Sequence, residues 1–245
     1  MVELILSSII FAVLGFLAGL FGGVIGFGTA IILLPALVHF YGPVQAVPIM
    51  AVTATVANLS RIFLWWRDIN WKVCLVYGLT ATPAVALGAN TLVSLNETLV
   101  QVMLGVFLIL LIPIRRWMRK QHFVLQLWHM ALVGAFIGYL TGIVATTGAI
   151  NTPFFLAYGL TKGAFLGTEA ASTLAVLFTK GIAFHNLGLL NMTALIQGLL
   201  IGSFVLVGAL FSKRIVLTLS ERQFLQLMEL VMLVSGAVII GMAFK

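Results

Sequence analysis

Charge is what this 245-residue chain has least of: Asp and Glu number 6, Lys and Arg 13, and charged residues make up 8% of the sequence against 62% hydrophobic. A soluble domain carries roughly 25% charged residues to cover its surface, so water is not the main solvent here. With so few acids there are no paired carboxylates at matched depth, no nucleophile beside a base and no metal-ligand set, which argues against an enzyme and leaves no cofactor to hold. Cys74 stands alone, so an intrachain disulfide and a CxxC redox or metal site are both excluded. The four histidines, including His185 near one end of an apolar run, share no ligand spacing. Period-two alternation is missing as well, which excludes a transmembrane barrel. The net charge of +7 comes without a basic stripe interleaved with aromatics, so no nucleic-acid partner is expected.

What is present is apolar length. Mean hydropathy is +1.20, and a bilayer core needs about 20 apolar residues per helical crossing. Breaks at charged and turn residues give helices at about 4–21, 24–40, 45–66, 73–93, 98–114, 123–143, 147–160, 164–187, 194–211 and 223–244. Helices satisfy their own backbone groups in lipid, so the fold class is an all-α polytopic membrane protein with the lipid bilayer as its first partner. The apolar start carries Glu3 where a signal peptide carries positive charge, and it reads as a membrane helix.

The chain also repeats itself. Gly15, Gly19 and Gly23 return as Gly134, Gly138 and Gly142, each 119 residues on; Pro35 returns as Pro153, 118 on. Gly88-Ala89 returns as Gly208-Ala209 at 120, and Ile69-Asn70 as Leu190-Asn191 at 121. Such an offset predicts two repeats of about 120 residues, 1–121 and 122–245, forming one membrane domain. Each half holds five segments, an odd number, so the halves are expected to enter the membrane from opposite sides as inverted repeats. Basic residues agree. The loop with Arg67 and Lys72 corresponds to an uncharged 188–193, while 94–97, without positive charge, corresponds to 212–222 with Lys213, Arg214 and Arg222. With the cluster Arg115, Arg116, Arg119 and Lys120 and with Lys162, ten of the 13 basic residues fall on one side, which the positive-inside rule makes cytoplasmic and which puts both termini outside.

Two stretches break the helical pattern at matching places. Gly22-Gly23-Val24-Ile25-Gly26-Phe27-Gly28-Thr29 precedes Pro35, and Gly142-Ile143-Val144-Ala145-Thr146-Thr147-Gly148-Ala149-Ile150-Asn151 precedes Pro153. Each glycine costs about 1 kcal/mol against alanine in a helix, so each repeat is expected to hold a glycine-broken helical hairpin plus three transmembrane helices. A helix starting at such a break aims unpaired N–H groups and a positive dipole end at the break, which suits an anion. Close helix packing through small residues is the competing reading of the same glycines. Arg61 and Lys180 lie 119 residues apart at equivalent positions of apolar segments, with no acid one turn away. A cation at that depth costs about 2.5–3.5 kcal/mol on insertion scales and is functional by default, unless it snorkels to an interface. Asn58 shares a segment with Arg61 as a donor to anion oxygens, and Glu169 is expected to pair with Lys162.

The glycine-rich break with its following Pro-x-Leu, the stretch 46–60, the turn Trp65-Trp66-Arg67-Asp68-Ile69-Asn70-Trp71 and the Gly-Ala steps at 88–89 and 208–209 together resemble the sulfite exporter TauE/SafE family over nearly the whole chain. Thr146 and Thr147 stand where that family usually has consecutive glycines. The resemblance implies a bacterial inner-membrane, multi-pass permease for small sulfur-containing anions such as sulfite or organosulfonates, with alternating access around an anion held between the repeats. The expected substrate-binding set is Gly26, Gly28, Thr29, Asn58, Arg61, Thr146, Thr147, Gly148, Asn151 and Lys180, with no metal. A passive anion channel of the same architecture is the alternative. Coupling to a proton or to sodium, and assembly into homo-oligomers, stay open at this stage.

Overall fold

The computed structural model describes residues 2–91, 124–143, 148–186 and 191–242, with 106, 109, 110, 112, 113 and 117 between them. Every regular element among these is helical: α1 (Val2–Ile25), α2 (Gly28–Leu64), a 3-10 turn (Trp66–Asp68), α3 (Trp71–Thr91), α4 (Leu127–Ile143), α5 (Gly148–Ala157), α6 (Lys162–Asn186), α7 (Met192–Thr218) and α8 (Glu221–Met242). The segment expected at 98–114 lies largely outside the described residues. Gln45–Leu64, Trp71–Gly88 and Met192–Thr218 are long and apolar enough to cross a bilayer, while Ile9–Ile25, Gly28–Gly42 and Leu127–Thr141 are shorter apolar helices. Outward faces carry Phe63, Leu75, Leu79 and Leu87 rather than charge, which suits hydrocarbon as the surrounding solvent.

Helix ends follow from local chemistry. Asn70 Oδ1 accepts from the Val73 N–H to cap α3, and Asn191 Oδ1 accepts from the Ala194 N–H to cap α7. The two asparagines matched by the repeat therefore do the same work. At α8, Ser220 Oγ accepts from the Gln223 N–H while Gln223 Oε1 accepts from the Ser220 N–H, a reciprocal capping box. Inside α2, Gly42 adopts φ 74 and ψ 161, so the expected division between 40 and 45 occurs as a kink that a side chain would resist. The part before it, 15 residues at 1.5 Å each, spans about 22 Å, less than a hydrocarbon core of about 30 Å.

Two boundaries differ from expectation. The first glycine break narrows to Gly26 and Phe27, with Gly26 at φ 104, because Gly22 and Gly23 belong to α1 and serve packing. The helix expected to stop near 211 runs to Thr218. Ser212 packs against Gly23, and Lys213 folds back so that its Nζ donates to the Leu64 carbonyl at 2.7 Å, which lets a charged sequence stay helical.

Contacts divide the chain into two compact units. The first contains Met1–Ile69 and Leu166–Thr218, the second Asn70–Phe165 and Leu219–Lys245. Neither matches a sequence half, since α1 packs on α7 and α3 packs on α4. In the first unit a Cβ on Gly19 would lie 2.0 Å from the Val205 carbonyl oxygen, and one on Gly208 would lie 2.1 Å from that of Phe16. Gly15 and Gly23 meet Phe204 and Ser212, and Gly198 and Gly202 receive Val52 and Val56 of α2. Lipid tails are as apolar as leucine, so helices here associate through close van der Waals contact, which small residues permit. Phe11, Leu33, Leu37, Ile49, Ile201 and Val205 fill the core of this unit. In the second unit Gly134 lies against Tyr77 and Thr80 and Gly138 against Ala81, while Phe154 packs on Met232 and Phe165 on Phe224.

Candidate functional site

The 3.6-residue helical period puts Asn58, Arg61 and Trp65 on one side of α2 and its end, and Glu169, Ser172 and Thr173 on one side of α6. The two rows meet in the first unit. Arg61 Nη1 donates to Glu169 Oε2 at 2.6 Å, and Arg61 Nη2 donates to Asn58 Oδ1 at 2.6 Å. Asn58 is held in turn by its Nδ2, which donates to the Ala54 carbonyl at 2.7 Å. The second carboxylate oxygen, Oε1, accepts from Thr173 Oγ1 at 2.9 Å. Exposure of Arg61 is 5% and of Glu169 1%, so a full ion pair lies out of contact with solvent.

This arrangement corrects the expectation for both charges. Arg61 is not a lone cation waiting for an anion, and Glu169 pairs across to α2 rather than along its own helix with Lys162. The reason is dielectric. An unpaired charge in the interior costs several kcal/mol, and the planar guanidinium fork satisfies a carboxylate and an amide at once. The partners are 108 residues apart, so no local spacing could reveal them. The available signal was that Glu169 is an acid in an apolar segment, where charges usually pair with one another.

Around the pair the order of contacts is consistent. Gly167 of α6 lies against the Cβ of Trp65, 3.0 Å from where its own Cβ would stand. Trp65 Nε1 and Ser172 Oγ are buried without a hydrogen-bond partner among the described residues. Beyond Trp65, the Lys213 ammonium sits 5.1 Å from the indole centroid. A buried polar seam thus has the ion pair at its middle and an unsatisfied donor on each side of it along α2 and α6. Unsatisfied buried donors are rare enough that each calls for a ligand or water in the working protein.

The other expected site residues divide. Gly26 needs its positive φ to make the α1–α2 turn. A Cβ on Gly28 would stand 3.2 Å from Gly22 N and 3.3 Å from Phe21 C, so this glycine serves the approach of α2 to α1. Thr29, buried, donates to the Ala18 carbonyl at 3.3 Å. Asn151 belongs to the second unit, where its Oδ1 accepts from Tyr77 Oη at 2.7 Å. Gly148 opens α5. Thr146 and Thr147 lie outside the described residues, as does the side chain of Lys180, whose backbone is part of α6. Of the expected set, Asn58 and Arg61 are joined by a side-chain hydrogen bond, and Glu169, Ser172, Thr173 and Trp65 are the additions.

Among the described residues no group of His, Cys, Asp and Glu is placed to hold a metal. No match is found among curated proteins or among solved structures. The family described as Sulfite exporter TauE/SafE matches residues 11–239. With apolar helices of crossing length and a buried charge network inside them, that match over nearly the whole length establishes that the chain belongs to the TauE/SafE family of sulfite exporters.

Proposed function

We propose that the protein is a bacterial inner-membrane permease that moves a small sulfur oxyanion, sulfite or a short organosulfonate, by alternating access. Arg61 carries this reading. Its guanidinium is buried in Gln45–Leu64, a stretch with mean hydropathy 1.5 that is long and apolar enough to cross a bilayer, and a family of sulfite exporters gives such a charge a use. Two parallel N–H donors at fixed spacing match two oxygens of a sulfite or sulfonate head as they match a carboxylate. Ser172 and Trp65 offer further donors that no described residue occupies. The two halves, read as inverted repeats, supply the alternation: α3 and α7 share an asparagine cap, and α1 and α4 share a glycine ridge.

The test is counterflow in proteoliposomes. Vesicles loaded with unlabelled sulfite should transiently concentrate external radiolabelled sulfite, with saturation, and a panel of sulfate, thiosulfate and short sulfonates should compete according to head-group fit. A channel gives no counterflow. Flux that never saturates, or no flux for any sulfur oxyanion, would remove this function.

A further inference from the structure

We propose that Glu169 is a proton-coupling residue: it occupies Arg61 as an internal anion, and it must take up a proton for the transported anion to replace it. The proposal rests on the anion-permease reading and adds the coupling ion. It starts from an exclusion of space and charge. Arg61 presents Nη1 to Glu169 and Nη2 to Asn58, so an incoming oxyanion that takes the Nη1 position displaces the carboxylate. Two anions beside one buried cation leave a net negative charge in a low-dielectric interior. That costs far more than a neutral carboxylic acid in the same place.

The exchange balances. A proton from the aqueous phase adds to a Glu169 carboxylate oxygen, the Nη1–Oε2 ion pair opens, and an oxygen of the anion accepts from Nη1. No covalent bond other than the new O–H changes. Thr173 is placed to serve both states: its hydroxyl donates to Oε1 in the paired state, and the same oxygen can accept from the carboxylic acid once it forms. Ser172, buried at 1% exposure and without a partner among the described residues, is three residues beyond Glu169 on the same helix and offers a donor to the second anion oxygen.

Charged groups near the pair come from three elements. α2 contributes Arg61 itself, and α7 contributes Lys213, held on the Leu64 carbonyl at the end of α2. On α6, Lys162 is seven residues before Glu169 and Lys180 eleven beyond it, and α1 carries no titratable side chain after Glu3. Among the described residues the acid paired with Arg61 is Glu169. Loading one anion with one proton and releasing both on the other side makes the two move together in the same direction.

The full chain in proteoliposomes, with membrane potential clamped at zero by potassium and valinomycin, tests this with radiolabelled sulfite and protein-free vesicles subtracted. An acid-outside gradient of one pH unit should drive accumulation approaching tenfold in the wild type. Glu169→Gln, which keeps an oxygen to accept from Arg61 but takes up no proton, should lose the gradient-driven accumulation, read as the steady-state ratio, which a slower carrier reaches later but does not lower. Sulfite itself titrates in this range, and a carrier selective for bisulfite would accumulate it without coupling, so the deciding comparison uses a radiolabelled short alkanesulfonate, whose charge is fixed. Accumulation that persists in Glu169→Gln, or a wild type indifferent to the gradient while counterflow is normal, overturns the coupling and leaves the permease reading intact. Absence of sulfite counterflow in the wild type overturns both. If Glu169→Gln does not fold, Thr173→Val replaces it: the pH midpoint of its counterflow should shift from that of the wild type, and an identical profile overturns the proposal.

Discussion

Replacing Gly19 by alanine should loosen the α1–α7 seam, and the geometry gives the size of the effect. The new Cβ would lie 2.0 Å from the Val205 carbonyl oxygen, 2.7 Å from its carbon and 2.8 Å from its Cα. Real Cβ atoms stay beyond 3.0 Å of such neighbours, so α7 must retreat by about 1 Å, and backbone cannot swing aside as a side chain does. Widening a contact by 0.5–1 Å forfeits roughly a quarter to a half of its dispersion energy. Because both helices are stiff, Gly15, Gly23 and Gly208 lose contact together with Gly19. The cost should therefore reach the upper part of the overpacking range, about 3 kcal/mol. Gly241→Ala is the control: nothing lies within 4 Å of its Cβ, and it should gain up to about 1 kcal/mol from helix propensity. Unfolding of the detergent-solubilised protein by titrated dodecyl sulfate, followed by far-ultraviolet circular dichroism, measures both. A Gly19→Ala midpoint equal to the wild type would refute close backbone packing as the basis of this seam.

Arg61→Gln leaves Glu169 buried without its cation and should lower stability by about 3–5 kcal/mol in the same titration, whereas Arg61→Met with Glu169→Leu should recover most of that loss and still carry no anion. Equal stability of Arg61→Gln and wild type would contradict the buried pair. Gly28→Val presses a branched side chain on Gly22 N and Phe21 C, 3.2 and 3.3 Å from the Cβ position, so stability and sulfite counterflow should fall together, by about 1–3 kcal/mol in the former. A Gly28→Val protein with wild-type stability and no transport would instead assign that glycine to a ligand. In a Cys74→Ser background, Thr193→Cys should react with an impermeant thiol reagent from outside and Arg222→Cys only after permeabilisation, as the basic loops dictate; labelling of position 222 from outside would sink the inverted arrangement.

The helical class and most segment positions were legible because they depend on composition and period, which are local properties. The repeat was read from local signals of the same kind, and Asn70 and Asn191, which the 121-residue offset pairs, each cap a helix. The glycines were read correctly as special and only partly for the right reason. A cluster of four suggests an unwound stretch, yet Gly22 and Gly23 stay helical, and what Gly23 faces, Ser212, lies far along the chain. The end of α7 was misplaced on the same account: Lys213 looks like a loop residue until the Leu64 carbonyl, 149 residues away, is brought to it. Arg61 was singled out as a charge within an apolar segment, and its partner was missed. Sequence distance hides a cross-helix ion pair completely, whereas the energetic demand for one is visible in a single buried arginine.

The seam between α1 and α7 also imposes an order on synthesis. Gly19 and Val205 face each other across 186 residues of chain, and at about 5–20 residues per second a ribosome needs roughly 10–40 s to supply the second after the first. Throughout that interval α1 stands in the bilayer with its glycine ridge open, next to lipid or to whatever helix the insertion machinery offers. A truncated chain that ends before residue 192 never closes this ridge, so Gly15, Gly19 and Gly23 stay without their α7 partners in the unfinished protein.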